Sequence, residues 1–318
     1  MNTIYSEALE GRLASSDDGN ACDFTIRNDL CVPLALAWLS EHGEQWGFDP
    51  QTGRCEDGAP VHPIRPSGQV LLPGAQDGYW WLLTTQRSGA FVGVVGKGQE
   101  DPRRPRFVGS AQVAVSPDDL VAPNALGPPP EPSVETIVPG DSPRVLVGCG
   151  MALAGTPGVV VTREQFWQLT GDSYSLVRGE RRTISYTETV GMETTSSTSE
   201  TVATSLGMSA SVGWGPVSTS VSASLSTSST TFQQVSLSSE RTTFVSRDME
   251  NRGDGTLLVL VWQMADVITV FEAQGKPAGS VVSSINPTIA QPRTMPSEAP
   301  SAPRSAARLA PPRIAFDG

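Results

Sequence analysis

Residues 202 to 226, VATSLGMSASVGWGPVSTSVSASLS, alternate with a period of two. Val202, Thr204, Leu206, Met208, Ala210, Val212 and Trp214 fall on even positions, and Ala203, Ser205, Gly207, Ser209, Ser211 and Gly213 lie between them. After Gly215-Pro216 the parity inverts. Val217, Thr219, Val221, Ala223 and Leu225 are odd, while Ser218, Ser220, Ser222, Ser224 and Ser226 are even. Successive strand residues point to opposite faces, so the inversion has one simple solution. Two strands folded back at Gly213 to Pro216 pair Val212 with Val217 and Val202 with Thr227. The apolar side chains then share one face and the serines the other. A flexible linker has no reason to keep that register, so the segment reads as a β-hairpin.

The register extends outwards. Ile184, Tyr186, Val190 and Met192 share the even face, with Thr183, Ser185, Thr187 and Thr189 on the odd one. On the return side Val235, Leu237 and Val245 keep the matching parity, and Phe232 and Phe244 break it. From Thr183 to Ser246, 32 of 64 residues are Ser or Thr, so the hairpin is expected at the tip of two unusually long strands. Each arm nearest the turn, Val202 to Val212 and Val217 to Thr227, is eleven residues long. At about 3.3 Å per residue and a tilt near 40°, an arm rises roughly 28 Å, against about 30 Å of bilayer hydrocarbon. Between Thr201 and Ser239 there is no Asp, Glu, Lys or Arg, and Glu193, Glu200 and Glu240 sit just outside. That is the distribution a lipid-crossing hairpin needs, apolar residues towards lipid and small hydroxyls towards water. One hairpin leaves two unpaired edges, and only a closed barrel is tolerated in lipid, so several chains must each give two strands. Trp214 would settle at the far interface, where indole rings are favoured.

The rest of the chain fits an all-β protein. Of 318 residues, 31 are Gly and 26 Pro, and apolar stretches are short and broken by turn residues. "FTIRN", "LALAWL", "QVLLPG", "YWWLLTT" and "AFVGVVG" each read as a strand between Cys22 and Val121, and "VLVGCG" and "GVVVT" reopen β structure later. Seven prolines within 122–143 predict an extended linker. Thr162 with Gln165 has capping-box spacing, which predicts one short helix over "REQFWQL". "TLLVLVWQMADVITVFEA" predicts one or two buried strands. Residues 1–20 are expected to be loose and 286–318 disordered. The expected organisation is therefore an N-terminal β-sandwich over 1–121, serving receptor binding or assembly, then the 122–143 linker. A long-stranded module follows over 144–285, with its hairpin at about 201–228, and a Pro/Ala-rich tail ends the chain.

A formal net charge of -11 argues against nucleic acid as a partner. No apolar run is long enough for a membrane-spanning helix, and MNTIYSEALEGR lacks the pattern of a secretory signal peptide, so secretion or release by another route is expected. Cys22, Cys31, Cys55 and Cys149 make no disulfide scaffold and no metal motif. A Cys22–Cys31 bridge is possible, with buried thiols the favoured reading.

A Ser/Thr-rich pair of long strands embracing a charge-free alternating hairpin resembles the aerolysin-like β-pore-forming toxins, over about residues 144–285. The resemblance implies a water-soluble monomer that binds a receptor, assembles into a ring and extends its loops into one barrel. Val202, Leu206, Met208, Ala210, Val212, Trp214, Val217, Val221, Ala223 and Leu225 would face lipid. The lumen would be lined by Ser205, Ser209, Ser211, Ser218, Ser220, Ser222, Ser224 and Ser226, with Gly213, Gly215 and Pro216 at the turn. It also implies activation by clipping a terminal segment, for which Arg293, Arg304, Arg308 and Arg313 are candidates. The implied partners are a target-cell membrane and a glycan, lipid or protein receptor, with a homo-oligomer in the pore state and no cofactor. Residues 22–121 are faintly similar to the β-sandwich of the von Hippel–Lindau protein, with an Asn after a strand, an apolar "W" strand and a later "PG" turn. The aromatics there (Trp38, Trp46, Tyr79, Trp80, Trp81) stack on sugars or pack a core, and the apolar YWW strand favours the core.

Enzymatic readings fail on their partners. Gly171-Asp172-Ser173 resembles a serine-esterase block, but His42 and His62 both lie upstream in another segment. The "STS" of Ser197 to Ser199 has no Glu-x-Glu after it, and no phosphate-binding glycine loop is present. No catalytic residue and no metal site is expected. The alternative from another class is an extracellular adhesin or structural β protein. That predicts repeats of fixed period, and one hairpin is found rather than an array.

Overall fold

The computed structural model describes residues 13–16, 19–49, 54–57, 61–97, 107–109, 111–133, 135–151, 158–169, 174–194 and 241–294. The chain is all-β. In chain order the strands are β1 (Ala21–Asn28), β2 (Leu34–Leu39), β3 (Gln45–Asp49), β4 (Arg54–Glu56), β5 (His62–Ile64), β6 (Gln69–Gln76), β7 (Trp80–Thr85), β8 (Phe91–Lys97), β9 (Phe107–Gly109) and β10 (Gln112–Val115). They continue with β11 (Val145–Met151), β12 (Val160–Leu169), β13 (Tyr174–Leu176), β14 (Arg181–Thr194), β15 (Arg241–Glu250), β16 (Leu257–Phe271) and β17 (Pro277–Thr294). One turn of 3₁₀ helix at Pro117–Asp119 is the only helical piece among the described residues.

A three-stranded sheet of order β10-β1-β6 lies over a 14-stranded sheet that runs β15-β14-β17-β16-β12-β11-β8-β7-β2-β3-β4, with β13, β5 and β9 attached to β16, β2 and β8. The alternation in β1 explains the small sheet. Phe24 and Ile26 are wholly buried, whereas Thr25 and Arg27 point away. Together with Val70 and Leu72 of β6 and Val113 and Val115 of β10, they pack on Leu34, Leu36, Trp81, Leu83, Val92, Leu146 and Val160 of the large sheet. This is the sandwich core. Asn28, the Asn that follows the "FTIR" run, is buried. Its Nδ2 donates to Val32, Ile64 and Arg65 carbonyls, tying the turn into β2. The aromatics pack as the apolar strand implied: Trp81 stacks on Phe24, and Trp38 meets Trp46 and Tyr79 edge-on.

The opposite face of the large sheet carries a second core of Leu39, Trp80, Leu82, Phe91, Val94, Val145, Val147, Trp167, Leu258, Leu260 and Trp262, covered by Leu13 and Leu126. With both faces covered, central strands have no polar side. β16 is buried along nearly its whole length, which is why its sequence reads as a continuous apolar run.

Four expectations change here. "REQFWQL" belongs to strand β12, not a helix, because Thr162 and Gln165 are both buried side chains of a strand enclosed on two faces; the capping-box spacing is coincidental. The Pro-rich 122–143 segment lies against the sheet. Leu126 is fully buried, Gly127 O accepts from Trp167 Nε1 at 3.0 Å, and Ser142 exchanges main-chain and side-chain bonds with Trp167 where β12 outruns β11. Of the N-terminal twenty residues, Leu13 and Ser15 are buried, and Ser15 Oγ accepts from Trp80 N at 3.0 Å. Finally, residues 286–294 are not disordered. They form the far half of β17, paired along β16 from Trp262–Ile289 to Leu257–Thr294.

Candidate functional site

The long strands flanking the charge-free segment begin as a ladder. β14 and β15 pair antiparallel over ten positions, from Arg181 opposite Glu250 to Val190 opposite Arg241. Residues directly opposite share a face, so the even positions of β14 go with the odd positions of β15. The root of the ladder obeys the parity read from the sequence. Ile184 is buried with Leu176, Val259 and Val261, and half-buried Met249 packs against the same cluster. Thr183, Ser185, Ser246 and Asp248 are exposed on the other face. There Asp248 accepts from Thr183 Oγ1 at 2.7 Å and from Arg181 Nη2 at 3.2 Å, and these bonds hold its carboxyl below the usual range. β14 also has a partner in β17. Gly191 to Thr194 pair with Val282 to Gly279 of β17.

One polar cluster fastens this stem to the body, and a second ties strands within the body together. The first is Asn251, at the foot of β15. It is 2% exposed; its Nδ2 donates to Leu176 O and Gly255 O, both at 2.8 Å, and its Oδ1 accepts from Gly253 N at 2.9 Å. Its own main chain bonds Glu180 O and Gly179 N, so one residue closes both turns at the ladder's root. The second lies between β12 and β16. Arg163 donates from Nε to both oxygens of Asp266 at 3.0 Å, and Gln165 Nε2 donates to the same carboxylate at 3.1 Å. Gln165 Oε1 in turn accepts from Asn124 N at 2.8 Å, linking the Pro-rich strap to the pair. On the other face of β12, buried Glu164 accepts from Ser88 Oγ and faces Arg144 at 3.4 Å. Burial outweighs both and raises its carboxyl above the ordinary range.

The sequence-predicted site divides as follows. Every lipid-face, lumen-face and turn residue, Val202 through Ser226, lies outside the described residues, as do Arg304, Arg308 and Arg313. Arg293 lies in β17 opposite Leu258. Asn251 escaped the sequence reading, although Asn-Arg-Gly-Asp-Gly between two β runs is the composition of a turn whose Asn bonds its own backbone two residues on. Arg163 and Asp266 left only the faint signal of single charges inside buried strands. Among the described residues no group of three His, Cys, Asp or Glu side chains converges as a metal site. No described helix is long and apolar enough to cross a membrane, a statement that does not bear on strands.

No protein-family model matches the sequence, and no curated protein matches it either. Among solved structures the chain is similar to the crystal structure of Cry35Ab1, at 11% identity and a TM-score of 0.37, over 86% of this chain and 90% of that one.

Proposed function

We propose that this chain is a pore-forming protein of the aerolysin-like type, which assembles on a membrane and contributes one amphipathic β-hairpin per subunit to a transmembrane barrel. One coincidence carries the reading. Each step outward along β14 is a step back along β15, so the pair Val190–Arg241, continued without slip, brings Trp214 opposite Val217. The loop left over is Gly215-Pro216. Sequence alternation alone places the turn at Gly213 to Pro216, with Val212 opposite Val217. The two registers come from different residues, differ by two positions and agree in parity. Gly at the first central position suits a type II′ hairpin turn.

In this reading the stem is held to the body by Asn251 and the Ile184 cluster, and the charge-free tip leaves its resting place when subunits meet. Val202, Leu206, Met208, Val212, Val217, Val221 and Leu225 then pass into lipid, each contributing on the order of 1–2 kcal/mol of transfer free energy. The alternate serines line a neutral, wet lumen. The sandwich is free to bind a receptor, and release of the chain, its homo-oligomer and its proteolytic activation in the tail belong to the same proposal. No bond is made or broken in the pore-forming step.

The test is dye release from liposomes of a natural lipid extract, with and without brief trypsin treatment, and negative-stain imaging of the same samples. Release with ring-shaped particles is expected. Leu206→Arg or Val221→Arg, which put a charge at the bilayer midplane at a cost of about 2–4 kcal/mol, are expected to abolish release with the thermal midpoint of the monomer unchanged. Undiminished release by both variants would refute the assigned lipid face.

A further inference from the structure

The turn that joins β15 to β16 reads Asn251-Arg252-Gly253-Asp254-Gly255-Thr256, so an arginine and an aspartate flank a single glycine. Residues 252–256 are all exposed, and the side chains of Arg252 and Asp254 are 84% and 90% open to solvent. The main chain beneath them is nevertheless fixed. Buried Asn251 donates from Nδ2 to Gly255 O on one side of Asp254 and accepts from Gly253 N on the other. A Cβ on Gly253 would stand 3.3 Å from Asn251 Oδ1, so the glycine lets the backbone lie close against its anchor. The result is two opposite charges projecting from a turn that a buried side chain already orders.

Both charged heads are exchangeable. Arg252 donates to Glu250 Oε2 from Nε at 3.0 Å and from Nη2 at 2.8 Å, and Asp254 faces Arg178 at 3.1 Å. Exposed pairs of this kind contribute little to stability, so a partner that replaces them displaces little. The guanidinium keeps further N–H donors and the carboxylate further lone pairs for such a partner. A complementary surface offers an acidic pocket to Arg252 and a divalent cation with an open coordination position to Asp254, since hard cations take carboxylate oxygens. The cation has to come with the partner. Among the described residues no group of three His, Cys, Asp or Glu converges to hold one.

We propose that Arg252-Gly253-Asp254 is a ligand turn for a cell-surface adhesion receptor of the integrin class. Such receptors read the tripeptide Arg-Gly-Asp through a bound divalent cation. Asp254 completes the coordination of that cation, Arg252 enters the acidic pocket, and Asn251 positions both. A turn ordered before binding loses less entropy on binding, which favours this presentation over a loose peptide of the same sequence. The turn follows the end of β15 remote from the charge-free segment, and it is separate from the sandwich. The inference is independent of the membrane reading.

The full chain, immobilised for surface plasmon resonance, tests this against purified ectodomains of the vitronectin-binding and fibronectin-binding integrins. Saturable binding of at least one is expected in manganese, lost in EDTA and displaced by a linear Gly-Arg-Gly-Asp-Ser peptide. Asp254→Glu keeps the charge and moves the carboxylate outward by one methylene; it and Arg252→Ala are each expected to weaken binding about tenfold or more, with the thermal midpoint unchanged. Arg178→Ala removes the partner of Asp254 within the chain and is expected to leave binding undiminished, which separates a ligand from a merely structural ion pair. The proposal is overturned if neither receptor binds the native chain in manganese, if binding persists in EDTA, or if Asp254→Glu binds as the native chain does. No membrane enters this assay, so its failure leaves the pore proposal standing, and failure of dye release leaves this one standing.

Discussion

Asn251→Asp tests the root of the stem with almost no change of shape. In the native chain the Asn251 amide gives both its protons to main-chain carbonyls, Leu176 O and Gly255 O, each at 2.8 Å, in a site 2% exposed. A carboxylate keeps the acceptor for Gly253 N and loses both donors. It also sets a charged oxygen against two buried carbonyls that have lost these bonds. An unmade buried bond costs about 1–3 kcal/mol, so two of them predict a loss of about 2–4 kcal/mol even with some relaxation. The assay is urea unfolding followed by tryptophan fluorescence, with ΔG taken by linear extrapolation. Hydrogen exchange on the same variant should show faster opening at β13, β14 and β15, with β2 and β7 little changed. The control is Arg252→Ala, which removes an ion pair to Glu250 whose arginine side chain is 84% exposed; there the unfolding curve should be nearly indistinguishable from that of the native chain. If Asn251→Asp is no more costly than this control, Asn251 does not anchor the stem.

The Arg163–Asp266 pair predicts a strongly non-additive cycle. Asp266→Asn leaves Arg163 buried without its counter-charge and should cost about 3–5 kcal/mol, whereas the combined Arg163→Met, Asp266→Leu replacement should recover most of that in the same urea assay. Glu164 predicts a pH effect. Its carboxyl is raised above 4.5 by burial, so the folded state binds the proton more tightly than the unfolded chain. Its contribution to stability is therefore largest below the unfolded value and declines as pH rises through the raised folded one. Glu164→Gln should flatten that part of the stability–pH curve, read as thermal midpoint against pH, and an unchanged curve would contradict the assignment.

Short apolar runs bounded by turn residues, together with alternation in β1 and the stem, made much of the fold legible. LALAWL is β2, and FTIRN, YWWLLTT and AFVGVVG fall in β1, β7 and β8. The stem was legible for the same reason, since Ile184 is buried and Thr183 and Ser185 are exposed as parity requires. What failed depends on distant partners. Nothing near Leu126 says that a proline-rich strap will cover the second face of a sheet, and nothing near Thr162 says that β16 will pair along it residue for residue. Low hydrophobicity in 286–294 suggested disorder, but a strand beside β16 is satisfied by backbone hydrogen bonds that side-chain composition does not reveal. Asn251 and Arg163 are isolated polar residues whose worth lies in groups about a hundred positions away or across a turn.

The proposed pore requires that 202–226 enter lipid as a hairpin in the register of β14 and β15. The most direct measurement is a scan of single cysteines carrying an environment-sensitive fluorophore, placed at each position from 202 to 226 in a chain whose native cysteines are replaced, with and without liposomes. Membrane addition should brighten and blue-shift the label at even positions up to 214 and at odd positions from 217, the serine positions staying wet. A response without alternation, or one whose parity does not invert across Gly215-Pro216, would contradict the account.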